Sequence, residues 1–274
     1  MAAPALSATI VTYRPDAALF ARAVASLSRS VRRASEEGSL GEAALFVVDN
    51  GPESERGAVR SALAAWEGAG GAELVAANGN VGYGRANNLV LDRLRSDFHL
   101  VMNPDVELDA ATIPAALAFL RQHPEVGLVA PDASDEHGTP QFLCKRYPSL
   151  WVLLLRGFAP APLRRRFARR LEDYEMRDVV VRGEPARVPL ASGCFMLMRT
   201  ELFRRVGGFD PRFFLYFEDY DLSLRLGREA QVAYVPRARI VHHGGEAARK
   251  GPRHIAWFVR SAWRFFATHG WKLA

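Results

Sequence analysis

Apolar residues along this chain fall into short blocks that alternate with longer stretches of helical spacing. "SATIVTY" (7–13) is a buried-strand pattern, and residues 17–31 then place Phe20, Val24, Leu27 and Val31 on one helical face. The alternation continues. "ALFVVDN" (44–50), "AELVAA" (72–77), "FHLVMNPD" (98–105) and "VGLVAP" (126–131) read as strands, with helices expected over 53–66, 84–96 and 110–122, the last with Asp109 as its N-cap. Strands alternating with helices imply an α/β fold with a mostly parallel, doubly wound sheet. Three of these strands end in polar groups, Thr12 and Tyr13, Asp49 and Asn50, then Asn103 and Asp105. Ligands of open α/β sheets bind outside the carboxyl ends of the strands, so this is where a site is expected.

After residue 131 the alternation stops. "DASDEHGTP" predicts a turn or hairpin, followed by an irregular Arg- and Pro-containing stretch to about residue 185. "VPLASGCFMLMR" (188–199) returns to strand character, "TELFRRVGG" reads as a short helix capped by Thr200 and stopped by Gly207 and Gly208, and "QVAYVP" (231–236) is a late strand. The C-terminal "IAWFVRSAWRFFATHGW" is a basic, aromatic helix that packs on the core, with a membrane-surface role as the lesser alternative. No repeat and no long linker divides the chain, so one domain over 1–274 is expected: a half at 1–131, a second at 132–250 and an amphipathic helix at 251–274.

Composition narrows the classes. At 274 residues, 49% hydrophobic and 24% charged, the chain can bury a sizeable core. The apolar run "LWVLLL" (150–155) is far shorter than the roughly 20 residues of a membrane span. The N-terminal "MAAPALSATIVTY" lacks a basic region before a long apolar one, so a cytoplasmic chain is expected. Cys144 and Cys194 have no metal or disulfide spacing and read as reduced core thiols. The net charge of +6 permits acidic partners, and "RRRFARR" (164–170) reads as a solvated helix face or as a contact for an anionic bilayer or phosphorylated substrate. No recognition motif accompanies the charge, which argues against nucleic acid.

Four segments carry candidate chemistry. "NGNVGYGRANN" (78–88) departs from a dinucleotide loop in position and spacing, yet Gly82 and Gly84 allow close backbone approach while Asn80 and Asn87 can donate and accept at a polar ligand; a plain turn before a helix fits the same letters. In "MNPDVEL" (102–108), Asn103 and Asp105 project from one strand end as oxygen ligands suited to a hard divalent cation, or as an Asx turn. "RIVHHGGE" (239–246) adds His242 and His243. "FFLYFEDYDLSLRL" (213–226) sets Glu218, Asp219 and Asp221 behind an apolar wall; Asp221 pairs with Arg225 at i,i+4, and the other two sit in a first helical turn, where the dipole keeps an acid ionised.

Taken in order, "VTYRP", "VVDNG", "NGNVGYGRANN", "MNPD", "SGCFMLMRTELFRRVGGFDPRFFLYFEDYDLSLRL" and "VHHGG" resemble the family 2 glycosyltransferases, most closely the rhamnosyltransferase-like branch, over residues 7–245. The resemblance implies a GT-A fold, a nucleotide-sugar donor bound by the 1–131 half, an acceptor side at 132–250, a divalent cation (Mg or Mn) and inversion at the anomeric carbon. It implies that Thr12, Tyr13 and Asp49 hold the nucleoside, with Asp49 accepting from the base imide N–H, and that Asn80, Gly82 and Asn87 line the donor pocket. Asn103 and Asp105 fall on the family's D-x-D position, with Asn in place of the first Asp, leaving one charged ligand. His242 matches the late metal- or diphosphate-holding His, His243 being the alternative; Asp219 matches the general base and Glu218 its partner.

The implied activity is transfer of a sugar, preferably L-rhamnose from dTDP-rhamnose with UDP- and GDP-sugars open, to a glycan or lipid-linked glycan in cell-surface polysaccharide synthesis, at the inner face of the membrane. A non-catalytic sugar-nucleotide-binding module on the same fold is the alternative, and the acid pair speaks against it. A nicotinamide-dependent oxidoreductase would need a glycine loop after the first strand, where none stands.

Overall fold

A computed structural model describes residues 3–244 and 251–274. Gly245 and Glu246, from the sequence motif around the two histidines, lie outside the described residues. The strands are β1 (Leu6–Thr12), β2 (Ala43–Asp49), β3 (Ala72–Ala76), β4 (Phe98–Met102), β5 (Val106–Leu108), β6 (Val126–Ser134), β7 (Pro140–Gln141), β8 (Ala186–Arg187), β9 (Phe195–Arg199) and β10 (Gln231–His242). They form one sheet in the order β3-β2-β1-β4-β9-β6-β10-β5, with β7 on β6 and β8 on β10. β1, β2, β3 and β4 pair in parallel, β6 pairs in parallel with β10, and β9 runs antiparallel between β4 and β6.

Both faces of the sheet are covered, because successive side chains of a strand point to opposite sides. On one side Ile10, Val47, Leu100 and Leu197 pack with Phe20, Val24 and Leu27 of the helix Ala17–Glu36. On the other, Val11, Val48, Val101 and Met196 meet Phe203, Phe209 and Leu222. Each such side chain, fully buried, contributes roughly 1.5–3 kcal/mol of transfer free energy. Cys144 and Cys194 are buried thiols, both pushed up to about 12 by burial.

The parallel register aligns Thr12 with Asp49 and Ile10 with Met102, which sets the ends of β1, β2 and β4 at one edge. At the far side, β5 pairs antiparallel with the end of β10, His242 opposite Val106. That pairing delivers His242 to the neighbourhood of Asp105.

Several elements differ from the sequence reading. β10 runs past Pro236 to His242, with a register shift between Val235 and Arg239 that spares the ladder a bond the imino nitrogen cannot make. The stretch expected to be irregular holds four helices, Leu150–Phe158, Ala161–Arg166, Ala168–Tyr174 and Arg177–Arg182. Thr200 is the first residue of its helix instead of its cap, and the helix expected over 110–122 starts at Thr112. Asp109 still accepts from the backbone N–H of Ala111, at 2.7 Å, just ahead of it.

Asp221 belongs to the scaffold. Its carboxylate accepts from Arg225 Nε at 2.8 Å and meets His269 Nε2 at 2.8 Å, tying the helix Glu218–Leu226 to the C-terminal helix Pro252–His269. Stripping one partner from such a buried arrangement typically costs about 3–5 kcal/mol, so this acid is held by packing and pairing.

Candidate active site

A cavity of about 890 Å³ opens at the carboxyl ends of β1 and β4. Its wall includes Tyr13, Asn80, Gly82, Asn103 and Asp105, five of the residues singled out from the sequence, together with Arg14, Tyr83, Phe214 and the first turns of the C-terminal helix, Gly251 to His254 and Trp257.

Thr12, Asp49 and Asn87 sit behind that wall. Asp49 is 2% exposed; its Oδ1 accepts from Gly51 N–H at 3.0 Å and from Thr12 Oγ1 at 3.4 Å, and its Oδ2 from Arg56 Nε at 2.8 Å. A carboxylate offers about four acceptor positions, so one is left. Asn50, which the motif reading passed over as a site residue, organises the next loop: its Oδ1 accepts from Val81 N–H at 2.9 Å and its Nδ2 donates to Asn80 Oδ1 at 3.0 Å.

Gly82 then turns the chain with φ 94°. A Cβ there would stand 2.4 Å from the Phe214 carbonyl oxygen, so only glycine permits both the conformation and the approach. The helix Tyr83–Asn88 starts directly afterwards, and Asn87 Nδ2 donates to Tyr83 O at 3.1 Å.

The metal-type corner is built by β5 and β10. His242 Nε2 lies 3.7 Å from Asp105 Oδ1. Gln141 Nε2 donates to the His242 carbonyl at 2.8 Å, which turns Gln141 Oε1 toward His242 Nδ1, also at 2.8 Å. In the neutral ring the proton is thereby placed on Nδ1, and Nε2 presents a lone pair to the Asp105 side. His243 points elsewhere, to Glu107 at 2.8 Å and Glu136 at 3.5 Å, so of the two rings it is His242 that faces Asp105. Gly244 leaves room here, since a Cβ on it would fall 2.2 Å from Asp105 Oδ2. Asp105 Oδ1 is buried with no hydrogen-bond partner among the described residues, so these donors fit a divalent cation. No group of three His, Cys, Asp or Glu able to hold a metal occurs among the described residues. Asp105 and His242 would leave the remaining coordination positions to other ligands.

The acid pair lies one link further on. Tyr83, in the cavity wall, donates from its hydroxyl to Gly193 O at 2.7 Å, and Gly193 N–H donates to Asp219 Oδ2 at 2.9 Å. Cys194 O accepts from Asn103 N–H at 2.9 Å. The turn before β9 thus joins the glycine loop, the end of β4 and Asp219 at two consecutive residues. Gly193 was present in the sequence motif "SGC", but its role appears only in three dimensions.

Burial overrides the helix dipole at this pair. Desolvation, with Asp219 beside it, pushes Glu218 up to about 8, and desolvation raises Asp219 as well, contrary to the expectation that a first-turn acid simply stays ionised. The two are unequal. Asp219 is partly exposed and accepts backbone N–H bonds from Gly193 and from Tyr220, each at 2.9 Å, whereas Glu218 Oε2 is buried without a partner among the described residues. Asp219 is therefore the member that loses its proton first, and Glu218 holds one through neutrality.

Because the folded-state pKa of Glu218 is raised, from 4.5 to about 8, its contribution is complete below about 4.5 and is lost as pH climbs toward about 8. Glu218→Gln, neutral at every pH, is expected to flatten the decline of Tm across that window; thermal melts showing the wild-type slope in the variant would contradict the assignment.

Two further observations mark the region as a binding site. Of the five buried side-chain atoms without partners among the described residues, three belong to Asn87, Asp105 and Glu218. Buried polar atoms are normally satisfied, and a bound ligand is one way to satisfy them. In addition, of the four non-glycine residues with positive φ among the described residues, Arg14 (49°) lines the cavity and Tyr216 (69°) and Phe217 (64°) directly precede the acid pair, while Met176 (50°) lies elsewhere. Such backbone typically costs about 1–3 kcal/mol per residue and gathers at functional sites.

An α/β sheet with one antiparallel strand set between parallel ones, and a cavity of mixed polar and apolar lining across the carboxyl ends of its first strands, is a GT-A fold. The chain belongs to the glycosyltransferase-like family 2, whose model matches residues 4–264, and is a glycosyltransferase. It is 31% identical to the N-acetylglucosaminyl-diphospho-decaprenol L-rhamnosyltransferase of Mycobacterium tuberculosis, over 97% of this chain and 86% of that one. Among solved structures it is similar to the mannosyltransferase PcManGT of Pyrobaculum calidifontis in complex with GDP-Man and Mn2+, at TM-score 0.61 and 17% identity, covering 97% of this chain and 64% of that one. GalNAc-T7 with UDP, GalNAc and Mn2+ gives TM-score 0.61 at 15% identity, over 97% and 51%. Among the described residues no helix is long and apolar enough to cross a membrane.

Proposed function

We propose that this chain transfers L-rhamnose from dTDP-rhamnose to a lipid-linked glycan acceptor, with inversion at the anomeric carbon, at the inner face of a membrane. The observation that carries the reading is the link from the cavity wall through Tyr83 and Gly193 to Asp219, which sets one partly exposed carboxylate beside the donor cavity. The rhamnosyl donor and diphospholipid acceptor are supported by the named relative alone.

In this reading residues 1–131 carry the donor, 132–250 the acids and acceptor side, and 251–274 close the cavity. Tyr13, Asn80 and Gly82 contact the nucleotide-sugar, and Thr12 and Asp49 hold the base from beneath through the remaining Asp49 acceptor position. Asn87 supports the same loop from behind. Asp219 removes the acceptor hydroxyl proton as that oxygen bonds to C1; the bond from C1 to the diphosphate oxygen breaks with its electron pair, and a single displacement inverts the centre. Glu218, protonated, donates to the acceptor or its surroundings. Asp105 and His242, with Asn103 nearby, would hold a divalent cation, Mg or Mn, which neutralises charge on the departing diphosphate.

A thermal-shift panel of dTDP, UDP and GDP with and without manganese tests this, because a ligand that binds only the folded state raises its Tm. A manganese-dependent rise is expected, largest for dTDP. A rise with none of the three would overturn the donor reading.

A further inference from the structure

The C-terminal helix leaves apolar side chains on its outer face. Ile255, Val259 and Trp263 recur every four residues and are 45%, 56% and 65% exposed, one stripe along the helix, while Ala262, Phe265 and Phe266 behind it are buried. Trp271, also exposed, extends the stripe with its ring 6.4 Å from that of Trp263. Leu154 and Phe158 are exposed in the same i,i+4 relation on the helix Leu150–Phe158. Leu150 N–H donates to Lys272 O at 2.9 Å and Trp151 N–H to Leu273 O at 3.2 Å, so the two elements are knit into one surface.

The charge around this surface is mostly positive, with the exposed Glu172 and Asp173 closing the helix Ala168–Tyr174. Residues 150–171 contain six arginines and no acid, and residues 251–274 contain four Lys or Arg and no acid. Arg164, Arg165, Arg166, Arg169 and Arg170 are exposed and form no ion pair among the described residues. Their neighbours Arg146 and Arg177 are, by contrast, paired with Asp178 and Glu175. The ring of Trp151 meets that of Phe167 at 5.6 Å, which joins the arginine-rich helices to the apolar stripe. Exposed indoles and aliphatic side chains flanked by unpaired cations have the composition of an interfacial element, whose apolar side enters the headgroup boundary while its cations meet lipid phosphates.

We propose that this surface docks the chain on an anionic phospholipid bilayer, with Val259, Trp263 and Trp271 in the headgroup boundary and the arginines of 164–170 on the phosphates. The inference deepens the lipid-linked acceptor reading: Pro252, Arg253, His254 and Trp257 in the first turns of the same helix line the donor cavity, so docking holds that cavity at a fixed place relative to the lipid surface.

Vesicle sedimentation tests it without any transfer reaction. Wild-type protein is expected to pellet with vesicles of phosphatidylglycerol in phosphatidylcholine at low salt, to do so less at high salt, and to stay in the supernatant with phosphatidylcholine alone. A juxtamembrane cation contributes roughly fivefold to partitioning, so Arg165→Gln/Arg166→Gln/Arg169→Gln is expected to weaken it about a hundredfold. Val259→Ser/Trp263→Ser is expected to weaken it at least about tenfold through lost apolar burial. Both variants should keep the wild-type Tm and the dTDP-induced shift, which separates failure of docking from failure of the site. Undiminished pelleting of either variant, equal binding to neutral vesicles, or a solution dimer that Trp263→Ser dissolves would overturn the proposal.

Discussion

Asp219→Asn is expected to lower the rate of sugar transfer by about a hundredfold to ten-thousandfold while leaving dTDP affinity near that of the wild type. The substitution keeps the shape and one acceptor oxygen, so the bond from Gly193 N–H can survive, and with it the link to Tyr83. What is lost is the group that accepts the acceptor's proton. Glu218 does not replace it, because burial keeps that acid protonated and its buried Oε2 lacks a partner among the described residues. Single-turnover rates with a diphospholipid-linked acceptor, read beside dTDP binding, check both halves of the expectation. A variant that transfers at the wild-type rate would move the base elsewhere, and one that no longer binds dTDP would assign Asp219 to the donor pocket's architecture.

Asp105→Ala should abolish the manganese-dependent part of donor binding and reduce metal-supported transfer by at least about a hundredfold, since loss of an outer-sphere partner alone costs about 10–100-fold. With Asn at position 103, Asp105 is the one carboxylate of the pair Asn103 and Asp105, so no charge at position 103 compensates for it. His242→Ala should follow Asp105→Ala in direction, whereas His243→Ala should leave manganese titrations close to wild type, because His243 is turned to Glu107 and Glu136. Equal losses from the two histidine variants would contradict the geometry of this corner.

The sequence made the frame of this site legible through periodicity and strand ends. Thr12, Asp49 and Asn103 follow strongly apolar blocks, and parallel pairing carries such termini to one edge of a sheet. A helix over Asp219 to Arg228 and the pairing of Asp221 with Arg225 were also readable, because i,i+4 spacing is local; the helix in fact runs Glu218–Leu226. What stayed hidden depends on contacts between distant positions. Gln141 orients His242 across a separation of 101 residues, and Gly193 reaches Asp219 across 26. His269 closes on Asp221 from 48 residues away. β5 spans three residues, too few for a period to show, and Pro236 reads as a strand end until the register shift in β10 is seen. The ionisation of the acid pair is hidden in the sequence for the same reason: dipole effects can be read from position along a helix, but desolvation requires knowing what packs on top.

Comparison of the anomeric configuration of the donor sugar with that of the product, followed by NMR with a diphospholipid-linked acceptor and the wild-type enzyme, tests the central claim most directly. A single displacement gives a product of opposite configuration, formed at a rate that collapses in Asp219→Asn. A product of retained configuration would require two displacements or a different mechanism, and would contradict the assignment of Asp219, behind the Tyr83 wall of this cavity, as the base.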